Sequence, residues 1–269
     1  MPRRRFVRTG VAAVTVWLVV SGCSGGSGSP GAEPSGGAET APAEGGEAPP
    51  DAAPAPDAYA FEPDPDRLPA TAAEGLELVR GIAADPQTLG PDFVGASPYE
   101  GAPETWAVLD ADCVWQREAL PDSVHASLSR YMELPAAGGE APVRVTVAVT
   151  AHGSTESADE EVTTTLEEAL RCPDQQLRQG EHITGLTSFA NPSGVRGQSV
   201  ADDQVYESGL HQSDAYGGPF PYIWAVHRIG PVTLAVSASG TGSFDQAAVA
   251  TLVTDALVAM GTRTEDALA

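Results

Sequence analysis

Val143-Arg144-Val145-Thr146-Val147-Ala148-Val149 alternates without a break between a β-branched apolar residue and a polar or smaller one. A period of two places the four valines on one face and Arg144, Thr146 and Ala148 on the other, the pattern of a strand with one side against a core. A sheet is therefore expected. Towards the C-terminus the pattern returns as a hairpin: Tyr222 to Arg228, a turn at Ile229-Gly230-Pro231, then Val232 to Ser237, with Val232, Leu234 and Val236 facing one way. Weaker strands are expected at Trp106 to Leu109, Val114 to Arg117, Ser129 to Leu134, Ile183 to Phe189 and Gln204 to Leu210.

Three helices share one start signal. Thr71-Ala72-Ala73-Glu74, Ser157-Ala158-Asp159-Glu160 and Ser243-Phe244-Asp245-Gln246 fit the capping box, in which hydroxyl and acid or amide satisfy free backbone N–H groups reciprocally. The first helix carries Leu76, Val79 and Ala83 and ends near Asp85-Pro86. The second carries Ala158, Val162, Leu166 and Ala169-Leu170 and stops at Cys172-Pro173. The third carries Val249, Leu252, Val253, Ala256, Leu257 and Met260 and ends at Gly261. Each stripe is narrow, so each helix needs a surface to lie on. Strands punctuated by a few helices, without regular βαβ alternation, predict an α+β fold: an antiparallel sheet with about three helices packed on one face.

Upstream of this domain the chain changes character twice. Arg3-Arg4-Arg5 and Arg8 precede an apolar run from Gly10 to Val20, which is too short for a stable membrane span and is a signal-peptide core over residues 1–22. Val20-Ser21-Gly22-Cys23 resembles the bacterial lipoprotein lipobox. That resemblance implies cleavage before Cys23, a diacylglyceryl group on its thiol, and anchoring on the extracytoplasmic face of the cell membrane, since two acyl chains suffice where one binds marginally. Arg3-Arg4-Arg5-Phe6-Val7 also resembles a twin-arginine export signal. Residues 23–66 are almost entirely Gly, Ser, Pro, Ala and acid, the composition of a disordered linker. A flexible chain of that length reaches roughly 35 Å. Residues 67–269 suffice for one domain with a core of its own.

Charge narrows the partners. All fourteen basic residues are Arg, a usage that points to a GC-rich, actinobacterial genome, and the net charge is −23. Loss of the signal takes four Arg and no acid with it, leaving about −27. Such a field repels nucleic acid and anionic lipid, so nucleic-acid binding is not expected.

With Cys23 lipidated, Cys113 and Cys172 remain as an even pair in an exported chain, which predicts a disulfide. Closing its loop stabilises by about 4 kcal/mol in the chain-entropy picture. The histidines His125, His152, His182, His211 and His227 stand singly, without metal-ligand spacing. Asp110/Asp112 and Asp202/Asp203 lack the glycine and following acid of a calcium loop. No glycine-rich phosphate loop follows a strand. No catalytic residue, cofactor or metal is expected. Binding is the better supported class. Trp115 beside Arg117, and Tyr222, Trp224, His227 and Arg228 on one hairpin arm, are amphipathic side chains of the kind that line ligand clefts. The stretches Asn191 to Gln198 and Asp214 to Pro219 read as loops near such a cleft.

Taken together, Asp112-Cys113, Leu170-Arg171-Cys172-Pro173, Tyr222-Ile223-Trp224, Arg228-Ile229-Gly230-Pro231-Val232-Thr233-Leu234 and the final amphipathic helix resemble the extracellular sensor domain of mycobacterial PknH-type receptor kinases and related actinobacterial lipoproteins. The resemblance implies an antiparallel sheet with flanking helices, disulfide bonding, and a cleft that receives an extracellular ligand. The chain departs from that family in offering one disulfide where the kinase domains carry two, and in having no attached kinase. The expected function is a lipid-anchored extracytoplasmic binding or sensor module, whose partners are the membrane, through Cys23, and an extracellular ligand or envelope protein. An exported hydrolase of the envelope and a carrier of an apolar envelope molecule are the alternatives.

Overall fold

The computed structural model describes residues 61–136, 138–190 and 200–269. The signal peptide, Cys23, most of the linker and the whole of the 191–198 loop lie outside the described residues. Residues 61–66 belong to the linker by composition, yet they lie against the domain. Phe61 packs on the core, the Asp64 N–H donates to the Leu268 carbonyl at 2.8 Å, and Pro65–Arg67 forms a single 3-10 turn.

Ten strands and four helices follow in the order α1 (Ala72–Ile82), α2 (Pro86–Leu89), β1 (Val94–Glu100), β2 (Thr105–Leu109), β3 (Trp115–Ala119), β4 (Val124–Leu134), β5 (Val143–His152), α3 (Thr155–Arg171), β6 (Gln175–Arg178), β7 (Glu181–Ala190), β8 (Asp203–Ser213), β9 (Gly217–Ile229), β10 (Val232–Ser239) and α4 (Gln246–Leu268). Eight strands form one curled antiparallel sheet in the order β1-β4-β5-β10-β9-β8-β7-β6, and β2 and β3 pair as a separate hairpin. The quoted valine stretch is β5. Its partner β10 keeps a regular register with it, Val149 opposite Leu234 and Val147 opposite Val236, so the apolar rows of the two strands coincide.

The sheet has helices on both faces, which corrects the expectation of one. Val145, Val147, Val149, Leu234, Val236, Ile223 and Ile229 form the first face, covered by α1 (Val79, Ile82) and α4 (Val249, Val253, Ala256, Met260). Helix α3 lies on the second face, with Val162 against Val205 and Val226, and Ala169 against Ile183, Leu186 and Tyr222. Strands β7, β8 and β9 thus carry apolar residues on that side as well.

Helix ends follow their caps. Thr71 caps α1 as expected, accepting from the Glu74 N–H. The helix ends at Ile82, where Arg130 donates to the Ala83 carbonyl at 2.6 Å and Arg263 donates to the Ile82 and Ala83 carbonyls at 3.2 Å. Asp85-Pro86 instead begins the short α2, with a capping box between Asp85 and Thr88. Helix α3 starts one turn before the expected Ser157, because Ser154 in extended conformation accepts from the Ser157 N–H. Asp245 caps α4 in place of Ser243, and the helix runs through Gly261 to Leu268. Gly261 therefore lies within the helix rather than ending it, and a Cβ there would stand in ordinary contact 3.6 Å from Ile229. Strands β1 and β6 were not expected. The first mixes Gly, Ala, Ser and Pro, and the second is nearly all polar, so neither carries a period-two signal.

Leu234 is fully buried between β5 and β9 beneath α4. Leu234→Ala is expected to lower stability by about 3 kcal/mol through lost burial and a residual cavity, read as a reduced urea midpoint with unchanged slope.

Candidate functional site

The second face of the sheet is where the chain places its unusual chemistry. Helix α3 covers it over β7 to β10, and the β2–β3 hairpin reaches it from β4 to β6. The Arg117 guanidinium donates to Ser129 Oγ on β4 at 3.3 Å, and Val114 bridges to Gln176 on β6. Between these two covers, Thr146, Ala148, Ala235 and Ser237 of β5 and β10 are half-buried.

The expected disulfide joins the two covers. Cys113, at the hairpin turn, is bonded to Cys172 at the C-cap of α3. The turn puts Cys113 at a φ of 62° and is held by Asp110 Oδ1, which accepts from the N–H groups of Asp112 and Val114 at 2.9 Å each. Arg171 adds donations to the carbonyls of Asp110 at 2.8 Å and Leu109 at 3.2 Å. The Asp110/Asp112 pair is accordingly turn chemistry.

Three of the six candidate binding residues come together here. The rings of Trp115 and Trp224 meet at 4.9 Å between centroids, tilted by 50°, and Trp115 Nε1 donates to Gln175 Oε1 at 2.8 Å. Tyr222 points to the same face two residues from Trp224 and is 5% exposed, its hydroxyl bonded to Ser237. Burial pushes that phenol above its ordinary range, so it stays protonated. Arg117 and Arg228 also lie on this side, but their charges are engaged. Arg117 donates to the Thr105 carbonyl at 2.6 Å and to the Ala102 carbonyl at 3.3 Å. Arg228 is clamped by Asp203 and, at 3.2 Å, by Asp202, with Asp159 of α3 at 3.9 Å. That clamp is what the Asp202/Asp203 pair does. His227 faces the other way. It stands opposite Leu234 on the α4 side, where burial lowers its pKa to about 4 and leaves it neutral.

Several groups had no sequence signal because distant strands assemble them. Glu207 of β8 lies opposite Trp224 and is 2% exposed. Desolvation pushes it up to about 8, with Glu168 adding to the shift and Ser188 opposing it. Glu168 of α3 is pushed up to about 7, again mainly by desolvation, against the pull of Arg171 and the Leu109 N–H. Further along the same face, Ala141, Arg144, His211, Tyr216, Phe220 and Ser239 line a cleft of about 10 Å³, room for about one water. Arg144 and Arg178 both bond Glu181, and His211 Nε2 approaches it at 3.5 Å. Burial opposes the Glu181 charge, but these three partners outweigh it and hold the carboxyl well below the usual range.

One histidine contacts both a carboxylate and a hydroxyl. His152 Nε2 lies 2.8 Å from Glu161 Oε2 and 3.2 Å from Thr233 Oγ1, and the Thr233 hydroxyl donates to the same carboxylate oxygen at 2.7 Å. All contacts use one ring nitrogen, and Nδ1 is buried without a partner. A hydrolytic relay needs the carboxylate on one nitrogen and the nucleophile on the other. The His152 group therefore ties α3 to β5 and β10. Among the described residues no cluster of three or more His, Cys, Asp or Glu has metal-binding geometry.

No family model matches the chain, and no curated protein matches it. Among solved structures, the extracellular domain of PknH from Mycobacterium tuberculosis is similar over 69% of this chain and 96% of that one, at 11% identity and a TM-score of 0.42. An uncharacterised protein of Mycobacterium smegmatis, an ortholog of Rv0999, is similar over 67% and 99% respectively, at 13% identity and a TM-score of 0.31.

The carboxyl shifts set a pH profile for stability. Glu207 and Glu168 bind protons more tightly folded than unfolded, so stability falls as pH rises from the unfolded value near 4.5 through about 7 and 8. Glu181 is shifted the other way, and its contribution is lost as pH falls below 4.5. The urea midpoint is expected to be highest between about pH 4 and 5 and to decline towards pH 9. Glu207→Gln, which mimics the protonated acid, is expected to flatten that decline.

Proposed function

We propose that the chain is a non-catalytic, lipid-anchored binding or sensor module of the extracytoplasmic face, and that its ligand meets the side of the sheet bearing Trp115, Trp224 and Tyr222. The observation that carries this reading is the meeting of Trp115 of the hairpin with Trp224 of β9, beside Tyr222, where the two covers are locked together by Cys113–Cys172. An intact disulfide fits an oxidising compartment. Its position fits a device that fixes the geometry of a site, because it joins the helix on one side of the aromatic group to the hairpin on the other. The lipobox at Val20-Ser21-Gly22-Cys23 supplies the address, and the acidic linker supplies reach beyond the membrane surface. Among the described residues no helix is long and apolar enough to cross a membrane, so attachment in this reading runs through the lipid on Cys23.

Cell fractionation tests the anchor. Cys23→Ala is expected to move the protein from the membrane fraction to the medium, and retention on membranes refutes lipidation at that residue. The site is tested by a thermal-shift screen of the chain against envelope glycans, peptides and lipids. A ligand that binds only the folded state raises its stability in proportion to the logarithm of its concentration. Replacing Trp224 by Ala is expected to abolish the shift given by any hit, and a hit indifferent to both Trp115→Ala and Trp224→Ala places the site elsewhere. Reduction is expected to add the mass of two hydrogens and to lower the unfolding midpoint.

A further inference from the structure

Beneath the aromatic residues lies a polar group that packing alone leaves unexplained. Glu207 is directly opposite Trp224 across the β8–β9 ladder and opposite Ser188 across the β7–β8 ladder. It is 2% exposed, and although the facing Ser188 hydroxyl favours its charge, neither Glu207 Oε1 nor Ser188 Oγ has a partner at hydrogen-bond geometry. Buried acceptors are almost always paired, and a carboxyl oxygen left without a donor is costly. A second carboxyl, that of Glu168, reaches from α3 closely enough to disfavour the charge on Glu207.

We infer that this face binds a protonated primary amine, its ammonium group lodged between Glu207 and Glu168 and against the rings of Trp224 and Trp115. The inference rests on the binding-module reading above and names its ligand class. Four features converge on that chemistry. An ammonium group has three donors and no acceptor, so it complements an orphan carboxyl oxygen and a second carboxyl beside it. Trp offers the strongest aromatic face to a cation, and two indoles meet here at 4.9 Å. The basic side chains of this face are already committed. Arg171 is bonded to two backbone carbonyls, Arg117 to Thr105 and Ala102, Arg228 to its aspartates and Arg144 to Glu181. A chain of net charge −23 also concentrates cations around itself.

Binding is linked to proton release. The groups facing Glu207 are Ser188 from β7, Tyr222 and Trp224 from β9, and Glu168 from α3; those facing Glu168 are Arg171 and Glu161 of its own helix and the Leu109 N–H of β2. Glu161 is engaged with His152 and Thr233. With desolvation holding the two acids at about 8 and 7, each keeps much of its proton near neutrality until a cation arrives. The ammonium ion stabilises the ionised carboxylates, and the displaced protons go to solvent. An aliphatic amine, with a pKa near that of lysine at about 10.4, stays charged throughout.

The probe is n-butylammonium chloride, titrated into the mature chain with Cys23→Ser so that it remains in solution. Calorimetry in two buffers of different ionisation heat reads proton release, and tryptophan fluorescence reads site occupancy. One saturable site is expected, with affinity rising about tenfold per pH unit for each proton displaced below the carboxyl pKa values and levelling off above about pH 8. Glu207→Gln is expected to lose tenfold or more in affinity together with most of the pH dependence, and Glu168→Gln to lose a smaller part of both. The pH dependence in the chain with both acids intact decides the matter even if Glu207→Gln fails to fold. Absence of saturable binding at millimolar concentrations above pH 8 overturns the inference. So does affinity flat with pH, or affinity unchanged in Glu207→Gln and Glu168→Gln, which marks general attraction to an acidic surface. If butylammonium fails while a neutral or anionic envelope fragment stabilises the chain in a Trp224-dependent way, the amine is refuted and the binding module stands. If no fragment stabilises the chain, the binding module is refuted with it.

Discussion

The fold depends on the register of β10 between β5 and β9. Leu234 and Val236 stand beside Val149 and Val147 on one side and beside His227 and Ala225 on the other, so one continuous apolar surface forms across three strands. A slip of one residue turns Thr233, Ala235 and Ser237 towards α4 and exposes the valines, which makes the register strongly specified. Everything else is placed relative to that surface. Helices α1 and α4 find it by their apolar stripes, and the opposite face acquires its polar residues because each strand must put its alternate side chains somewhere.

The two faces are consequently held by different physics. Under α1 and α4 the contacts are almost wholly aliphatic, and burial stabilises in proportion to area. Helix α3 has fewer apolar residues to offer, mainly Val162, Leu166 and Ala169, and it adds directional ties at both ends. Near its start Asp159 approaches Arg228, and Glu161 holds His152 and Thr233. Its last turn is bound covalently through Cys172 and by Arg171 to the hairpin. Glu168 lies in that fastened last turn, its carbonyl accepting from the Cys172 N–H at 2.8 Å, with Glu207 on β8 below it.

The strands whose residues alternate were legible in the sequence. Val143 to Val149 and Val232 to Ser237 announce themselves because one side is buried and the other is not. Strand β1 does not, since Val94-Gly95-Ala96-Ser97-Pro98-Tyr99-Glu100 is an edge with little to bury, and β6 sits at the other edge with polar residues. The second-face position of α3 was hidden for the opposite reason: β9 is apolar at Tyr222, Ile223, Trp224, Ala225 and Val226 alike, and such a run names no preferred side. At the candidate site, Trp115, Tyr222 and Trp224 could be singled out by residue type. Glu207 and Glu168 could not, because nothing local separates them from the other acids of a chain this acidic. Only the pairing of β8 with β9, and the crossing of α3 above them, gives these two glutamates their environment.

That environment bears on why the carboxyls are there at all. Gln at position 207 would fill similar space without the tendency to ionise, and an aliphatic residue would spare the desolvation of an unpaired oxygen. Local propensity, apolar patterning and capping agree with the fold almost everywhere else in this domain, so a buried carboxyl is a local departure from the rule. It falls beside two indoles in contact, under the helix that the disulfide secures. Conflicts of this kind are characteristic of sites that give up stability for chemistry that folding alone does not require. The same argument separates Glu207 from His152 and Arg228, which are buried polar groups too but have their carboxylate partners within the fold. A group whose partner is present holds the structure together, whereas Glu207 Oε1 faces only the Ser188 hydroxyl, and neither atom has a partner at hydrogen-bond geometry.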